Sequence, residues 1–551
     1  MNLNKRLLNK IIASKNLTPE KLNKLKRHFA DKSKTGMISN AALLKLHRKN
    51  IQGKSVDHFA NHIDHVVSNL LMKRRIRTLS GVAPIAVLTK PFPCPGKCAY
   101  CPTEKAMPKS YLSNEPAVMR AILTKFDPFV QVRTRIDALE NNGHDTDKIE
   151  LIIMGGTWSC LPKSYQTEFV KNCFESCNLN SISEALNSKQ IKNSKKNKNK
   201  KIKTLKEVQR ENETAKRRIV AMTIETRPDY VDEKQIKHWR TLGATKVELG
   251  VQTLDDQIFK LNKRGHGVAE VIRATKLLKQ AGFKIAYHMM PNLPGSTPKK
   301  DLDIYKKLFN DQDFQPDFIK IYPTVVTKNA ELYKWWQAGK YKPYSAKQLL
   351  ALLIKMKLAT PEYVRIIRLI RDIPAESIVA GNKISNLRQI LQAQVKQLTL
   401  SGVEGCKCIR CREARENSTG MNAAKLFVDK YQASGADEYF LQFASKDKFK
   451  LFAFLRLRIP NKKEINFIPE IKNCAMIREI HTYGALVSLN KNKKSKAIQH
   501  QGFGIKLTIK AEQIAKQCGF KKIAVIAGVG VRNYYRKLGY ESSGTYLVKN
   551  L

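Results

Sequence analysis

Thr89-Lys-Pro-Phe-Pro-Cys94-Pro-Gly-Lys-Cys98-Ala-Tyr-Cys101-Pro-Thr-Glu104 sets the architecture of this 551-residue chain. Its three thiols, Cys94, Cys98 and Cys101, are spaced C-x3-C-x2-C, with Tyr100 just before the third. Three thiolates on one short loop can hold three corners of a 4Fe–4S cubane. No fourth cysteine lies nearby, so one iron stays open, and the amino and carboxylate groups of S-adenosylmethionine (SAM) can chelate it. An electron from such a cluster cleaves the sulfonium to a 5′-deoxyadenosyl radical. The competing occupant is zinc, held by three cysteines and a distant fourth ligand. The apolar run Ile85–Leu88 just before the loop reads as a buried first strand, a placement that favours the cluster.

Further apolar runs follow at Leu151–Met154, Ile219–Ile224, Val247–Gly250, Lys284–His288 and Phe318–Ile321. Helical stretches separate them; in one, Val268, Val271, Ile272 and Leu278 form an apolar face and Gly282 follows as a cap. Six βα units in a row predict an α/β fold, an open partial (β/α)6 barrel. Barrel chemistry sits at the C-terminal ends of strands. The candidates there are Gly155, Gly156 and Thr157 after the second strand, and Glu225 and Arg227 after the third. Glu248 and Gln252 end the fourth, and His288 the fifth. Glycines permit close approach to a methionine moiety. Each candidate alone could be a tight turn or a satisfied core polar group; their shared position makes them a cavity lining. Gly155, Gly156, Thr157, Glu225, Arg227 and Gln252 are the expected SAM contacts.

From about Ser418 the pattern changes. Tyr439–Phe443, Lys450–Arg458 and Met476–Leu489 read as antiparallel strands. Gln499-His-Gln-Gly502-Phe503-Gly504 fits Q-x-x-G-x-G and runs into a helix to Gln517. Backbone amides at such a helix start bind pyrophosphate. Strand Lys522–Ala527 comes next, then Asn533-Tyr534-Tyr535. The order resembles the GNAT acetyltransferase fold. A phenol there can protonate a departing CoA thiolate or orient an attacking water. Between the halves, Cys406, Cys408 and Cys411 place three thiols within six residues. Zinc is the simplest explanation, with Cys474 or His481 as fourth ligand; reduced thiols without metal are the alternative.

The formal charge is +53, from 100 Lys and Arg against 47 Asp and Glu. Residues 1–80 hold 18 Lys and Arg and four acids, Glu20, Asp31, Asp57 and Asp64. That concentration favours a nucleic acid partner over drift of a Lys/Asn/Ile-rich composition. Residues 1–20 lack the apolar core of a signal peptide, and no run is long enough to span a bilayer, so the expected location is cytoplasmic. Eleven cysteines in such a chain argue against a disulfide framework. Lys189–Lys206 holds nine lysines and no acid, and reads as a solvated loop or an added nucleic acid contact. The expected domains are a basic helical segment 1–80, a barrel 81–394 with a disordered insertion 186–212, a connector 395–415, and an acetyltransferase-like domain 416–551.

Long motifs in order then identify a family. GGTW, TIETRPDY, ELGVQT, NKRGHG, HMMPNLPG, KIYPT, RDIP, REIHTYG, QHQGFG and GVRNYYRKLGY span roughly Ile76 to Leu551. The chain resembles the catalytic subunit of Elongator and its single-chain prokaryotic relatives. The resemblance implies a radical SAM domain, a GNAT domain and binding of the tRNA anticodon stem-loop. It implies carboxymethyl formation at C5 of wobble uridine, with acetyl-CoA as the two-carbon source. It also implies acetyl-CoA contacts at Lys148, at Glu479, Ile480, His481 and Thr482, at Phe503, Gly504 and Ile505, and at Tyr535; Gln499, Gly502 and Asn533 join them from the motifs themselves. Tyr535 is the expected acid, with Tyr534 as its alternate. The connector cysteines look prokaryotic, which favours an enzyme acting without a dedicated complex. The electron donor is not implied. Two rival classes are a protein lysine acetyltransferase and a tRNA-binding scaffold with a structural cluster. The first leaves the Cys loop unexplained, and the second leaves the glycines at the SAM position unexplained.

Overall fold

Ala83–Leu88 (β1) starts a sheet of seven parallel strands that pair in chain order. The others are β2 (Lys148–Met154), β3 (Arg218–Thr226), β4 (Lys246–Gln252), β5 (Lys284–Met289), β6 (Phe318–Ile321) and β7 (Arg365–Arg368). The computed structural model describes residues 3–14, 17–51, 67–73, 78–179, 202–402, 404–415, 419–461, 464–484 and 502–551. Side chains alternate across a strand, so each strand serves two sides. On β2, Ile149, Leu151 and Ile153 pack outward with Val132, Phe169 and Phe174 of the covering helices. Glu150, Ile152 and Met154 face a cavity on the inner side. The α/β half-barrel is thus as expected, with one strand more than the six read from sequence. β7 is only four residues long and bounded by Arg365 and Arg368, so it carries no apolar run to recognise.

The N-terminal helices Leu3–Ala13, Pro19–Ser33 and Asn40–Ile51 form a small core of their own from Leu7, Leu8, Ile11, Leu22, Leu43 and Leu44. Their cations Lys5, Arg6, Lys10, Lys21, Lys24 and Arg27 stay exposed. Arg48 ties this unit to the first sheet's helices by donating to the Glu140 carbonyl at 2.6 Å.

The insertion expected at 186–212 needs correction at its end. Residues 186–201 lie outside the described residues, but Leu205–Asn212 is a helix. Thr204 and Glu207 form a reciprocal capping box, and Val208, Gln209 and Asn212 are buried. The Asn212 side chain bonds Asn178, the Arg217 carbonyl and the Ile219 amide, and Val208 packs in the main core with Leu205 against it, so both anchor the segment. The lysine-rich composition masked that signal.

A second sheet follows the order β13-β14-β12-β11-β10-β9-β8. Its strands are β8 (Lys425–Ala433), β9 (Ala436–Ala444), β10 (Leu451–Ile459), β11 (Cys474–Thr482), β12 (Lys522–Val525), β13 (Glu541–Ser543) and β14 (Tyr546–Asn550). All neighbours are antiparallel except β11 and β12. A parallel pair needs a crossover, and helix Phe503–Gln517 supplies it. β11 ends at Thr482, and residues 485–489 of the strand expected over Met476–Leu489 lie outside the described residues. β8 was not read as a strand because its alternation is that of a half-exposed edge.

The halves join through buried charge. Arg478 donates to both Asp317 oxygens at 2.5 and 2.9 Å and to Glu438 at 2.9 Å. Arg456 and Arg458 complete the network, with all five side chains at most 1% exposed. A second contact is steric. A Cβ on Gly528 would meet the Val220 carbonyl oxygen at 2.0 Å, and one on Gly530 the Arg218 side chain at 2.6 Å. Glu213, just past the capped helix, accepts from Arg532 and Arg536.

Candidate functional site

The inner face of the first sheet encloses a cavity of about 1010 Å³. Its lining runs from Cys94, Cys98 and Cys101 through the strands to Glu479, His481 and Tyr483 of the second sheet. One hollow is therefore shared by both halves.

At the upper end, Gly155 and Gly156 have φ of 134° and 96°, a region that favours glycine. A Cβ on Gly155 would lie 2.0 Å from Thr89 Oγ1. Thr157 Oγ1 is 3.7 Å from Cys94 Sγ. Cys98 and Cys101 are in hydrogen-bonding contact. That contact, and against burial the Arg264 guanidinium at 3.5 Å, holds the Cys98 thiol well below its usual range. Arg227 is 4.0 Å from the same sulfur and bidentate to Asp229. Thr89 Oγ1 and Gln252 Oε1 are buried without a partner among the described residues. Orphaned acceptors beside glycine-opened backbone suit a polar ligand bound over the Cys loop.

Mid-cavity, Tyr111 donates to Glu225 at 2.8 Å and His288 lies 3.0 Å from Glu248. Glu225, Glu248 and His288 offer ligand atoms within 4.8 Å of one another. Lys320 already fills the cation position, touching Glu248 and standing 3.7 Å from Glu225. Burial would raise the Glu248 carboxyl, but Lys320 and His288 hold it well below the usual range. Lys246 with Glu150, and Lys284, continue the charged lining downward. Sequence reading missed these lysines as site residues. The available signal was a lysine inside an otherwise apolar strand, tolerable only where the side chain meets a cavity or a partner.

The lower end is built by β11, whose alternate residues serve two sites. Glu479 and His481 face the cavity; Glu479 pairs with Arg456 at 2.8 Å, and His481 meets the Ser80 carbonyl at 2.7 Å. Ile480 faces the other way, onto Gly504 at the start of helix Phe503–Gln517. β11 and β12 pair only as far as Ile477 and Val525, so Glu479 to Thr482 run on beyond the paired edge. A register shift in β11 opposite Arg456 accompanies the parting. Gly502 takes φ 73°, and a Cβ on Gly504 would meet Tyr534 Oη at 2.8 Å. Tyr535 is buried, edge-on to Tyr534 and Tyr540. Burial pushes its phenol well up, with Tyr534 and Glu479 adding to the effect.

Several expected contacts fall elsewhere. Asn533 donates to the Glu213 carbonyl at 3.3 Å, so its side chain joins the two halves. Gln499 lies outside the described residues. Lys148 is half-buried at the start of β2 and does not line the shared cavity; its register partner Arg218 packs on Gly530. Phe503 is buried and Ile505 half-exposed.

The two cysteine triads differ in shape. The sulfurs of Cys406, Cys408 and Cys411 lie within 4.8 Å of one another, and no other described cysteine trio does so. A tetrahedral zinc draws thiolates to about 3.8 Å apart, given Zn–S bonds of about 2.3 Å; a cubane gives each thiolate its own iron and spreads them. The connector fits the first; in the Cys94 loop Cys98 and Cys101 stand close, but the three sulfurs are not gathered as a single zinc would gather them. Neither Cys474 nor His481 completes the connector group. The Cys474 thiol turns to the Lys472 carbonyl and His481 to Ser80, while Lys357 Nζ stands 3.4 Å from Cys411.

Comparison with known proteins follows the same division. The radical SAM superfamily matches residues 93–308, and a radical SAM C-terminal domain residues 316–397. The tRNA uridine(34) acetyltransferase of Methanocaldococcus infernus is 44% identical over 496 residues, 88% of each chain. That of Dehalococcoides mccartyi is 42% identical over 490 residues, 87% of this chain and all of the relative. The chain belongs to the tRNA uridine(34) acetyltransferase family of radical SAM enzymes. The human Elongator complex protein 3 is also similar, 36% identical over 503 residues, 87% of this chain and 86% of that one. The solved structure of M. infernus Elp3 with an N-terminal deletion covers 86% of this chain and 99% of its own, at 40% identity and a TM-score of 0.71. Family membership implies a 4Fe–4S cluster and SAM, and identifies the chain as an acyltransferase enzyme. Among the described residues no helix is long and apolar enough to cross a membrane.

Proposed function

We propose that this protein modifies the wobble uridine of tRNA, adding at C5 an acetyl-CoA-derived unit that ends as a carboxymethyl group. The observation that carries this reading is the single cavity lined by both the Cys94 loop and β11 of the second sheet. Thioester opening and radical formation then have a common space.

Cys94, Cys98 and Cys101 would hold the cluster, with SAM over Gly155, Gly156, Thr157 and Gln252; when bound, they supply a 5′-deoxyadenosyl radical. Acetyl-CoA fits the parting of β11 and β12, a GNAT-like arrangement. Glu479 to Thr482 keep their pairing with β10, and the side of β11 that β12 has left can face its amides, while the amides of Phe503 to Ile505 bind its pyrophosphate. Water attacks the thioester carbonyl and the C–S bond breaks, leaving a carboxyl group; Tyr535 Oη gives its proton to the leaving sulfur and regains one from the attacking water. The exposed cations of the N-terminal helices suit the phosphates of an anticodon stem-loop. Zinc on Cys406, Cys408 and Cys411 would fix the turn of the connector, which Ile409 ties to the residue before β7 by donating to the Val364 carbonyl at 2.9 Å.

The test is nucleoside mass spectrometry of tRNA from a deletion strain, with anaerobic reconstitution using acetyl-CoA labelled in its methyl carbon. Loss of carboxymethyl-type uridines and label at C5 are expected. A deletion strain with unchanged uridines would refute the reading.

A further inference from the structure

A second hollow, of about 740 Å³, lies against the Cys94 loop. It shares only Gly96, Arg227 and Arg264 with the large cavity, and none of Cys94, Cys98 and Cys101 lines it. The two arginines are therefore a wall with the thiolates on one side and this hollow on the other. Cys98 Sγ is 3.5 Å from Arg264 and 4.0 Å from Arg227. Two glycines keep the wall thin. A Cβ on Gly96 would lie 2.3 Å from Arg227 Nη1, and one on Gly265 3.4 Å from Nη2.

The floor is built. Arg227, Arg264 and His266 are all at least nine-tenths buried, and His266 Nε2 has no hydrogen-bond partner among the described residues. The rim is cationic and open, with Lys97, Lys260 and Lys263 exposed. The acids in the lining are Asp229, held by Arg227, and Asp256, whose Oδ1 accepts from the Val268 amide. Glu331, outside the lining, pairs with Lys263.

We propose that this hollow docks an acidic one-electron donor protein, which reduces the cluster through the two-arginine wall. The inference rests on the cluster assignment above. During the proposed reaction SAM and tRNA fill the large cavity, so an electron must arrive from another side. The donor loses one electron and the cluster gains it, passing from the 2+ to the 1+ state. The rim supplies the attraction. Charges at an interface edge act mainly on encounter rates, and steering raises these by about 10 to 10³ at low salt.

The experiment uses the reconstituted holoenzyme and flavodoxin, an acidic flavoprotein. Binding of oxidised flavodoxin is followed by flavin fluorescence anisotropy, and cluster reduction by stopped-flow bleaching with reduced flavodoxin or with dithionite. In Lys260→Glu/Lys263→Glu we expect flavodoxin affinity and reduction rate to fall about tenfold or more, with dithionite unaffected. Loss of the wild-type salt dependence should accompany this. Unchanged flavodoxin binding and rate would overturn the proposal. So would a variant that loses tRNA affinity while keeping flavodoxin, which would assign the hollow to nucleic acid. If the double variant also slows with dithionite, Lys260→Glu alone decides, because that side chain is exposed at the rim; an unaltered flavodoxin rate there overturns the docking site. Failure of dithionite to bleach the wild-type enzyme would instead refute the cluster.

Discussion

Tyr535 has a buried ring, yet its hydroxyl makes no hydrogen bond within the described residues. A phenol so placed contributes little to folding through its oxygen, and it is free to serve a ligand. We therefore expect Tyr535→Phe to change stability by less than about 0.5 kcal/mol, read by thermal melting. Thiol release from acetyl-CoA should drop about 10²–10⁴-fold, while 5′-deoxyadenosine formation persists. Wild-type thiol release would remove Tyr535 from the mechanism and turn attention to Tyr534. The two thiol triads give a second contrast. Cys98→Ala should abolish the visible absorbance and the content of about four irons expected of a cubane. Cys411→Ala should leave the iron intact and lose zinc, measured by elemental analysis of the same samples. Loss of iron in the Cys411 variant would reverse the assignment. These residues were legible from spacing alone, because ligand sets on one loop need no tertiary contact to be seen. Arg264 was not legible as a neighbour of Cys98. The two are 166 positions apart, and only the return of the β4 loop brings the guanidinium to the sulfur.

The N-terminal helices act as an element of their own, with a private core and an outward cationic face. Deleting residues 1–75 should weaken tRNA binding without removing cluster absorbance. The wild-type slope of log affinity against log salt should be steep, about 0.9 per duplex phosphate neutralised, and shallower in the deletion. Equal slopes would shift the interface elsewhere, the Lys189–Lys206 tract being next. Strand recognition varied with burial. β2 to β6 declared themselves as apolar runs because parallel strands are covered on both sides. β7 and β8 escaped, one for its brevity between arginines and the other as an edge with alternate exposure. Helix Leu205–Asn212 escaped because only Leu205 and Val208 pack on the core, too few for a hydrophobic pattern, and its other anchors are Asn212 side-chain bonds.

At the scale of the molecule, function depends on holding the two sheets in one register. Asp317 sits at their junction with no exposed surface. Burial would raise its carboxyl, but Arg478, Lys279 and Arg456 hold it well below the usual range. A carboxyl depressed on folding adds stability that is complete above its unfolded pKa of about 3.9 and is lost as pH falls through the folded value. The junction should therefore survive at pH 5 and loosen only in stronger acid, followed by tryptophan fluorescence. Loosening between pH 7 and 5 would contradict the ion network. Asp317→Asn leaves Arg478 short of a counter-charge and should cost about 3–5 kcal/mol, read by chemical denaturation. Gly528→Ala attacks the same junction sterically, through the 2.0 Å approach to Val220. It should speed limited proteolysis of the connector without altering the iron content; unchanged cleavage would mean the contact can relax.

By itself the sequence determined the two α/β halves, the cluster loop, the connector thiols and the basic N-terminus. Each is written in local spacing, periodicity or charge density, which the chain carries before it folds. Tertiary structure alone decided that the halves share one cavity, that alternate residues of β11 serve opposite sites, and that Asn533 faces Glu213 instead of a ligand. It also decided that lysines of two strands, Lys246 and Lys320, meet carboxylates inside the barrel. These facts depend on side chains distant in sequence desolvating one another, and their energies arise only once water has been excluded between them.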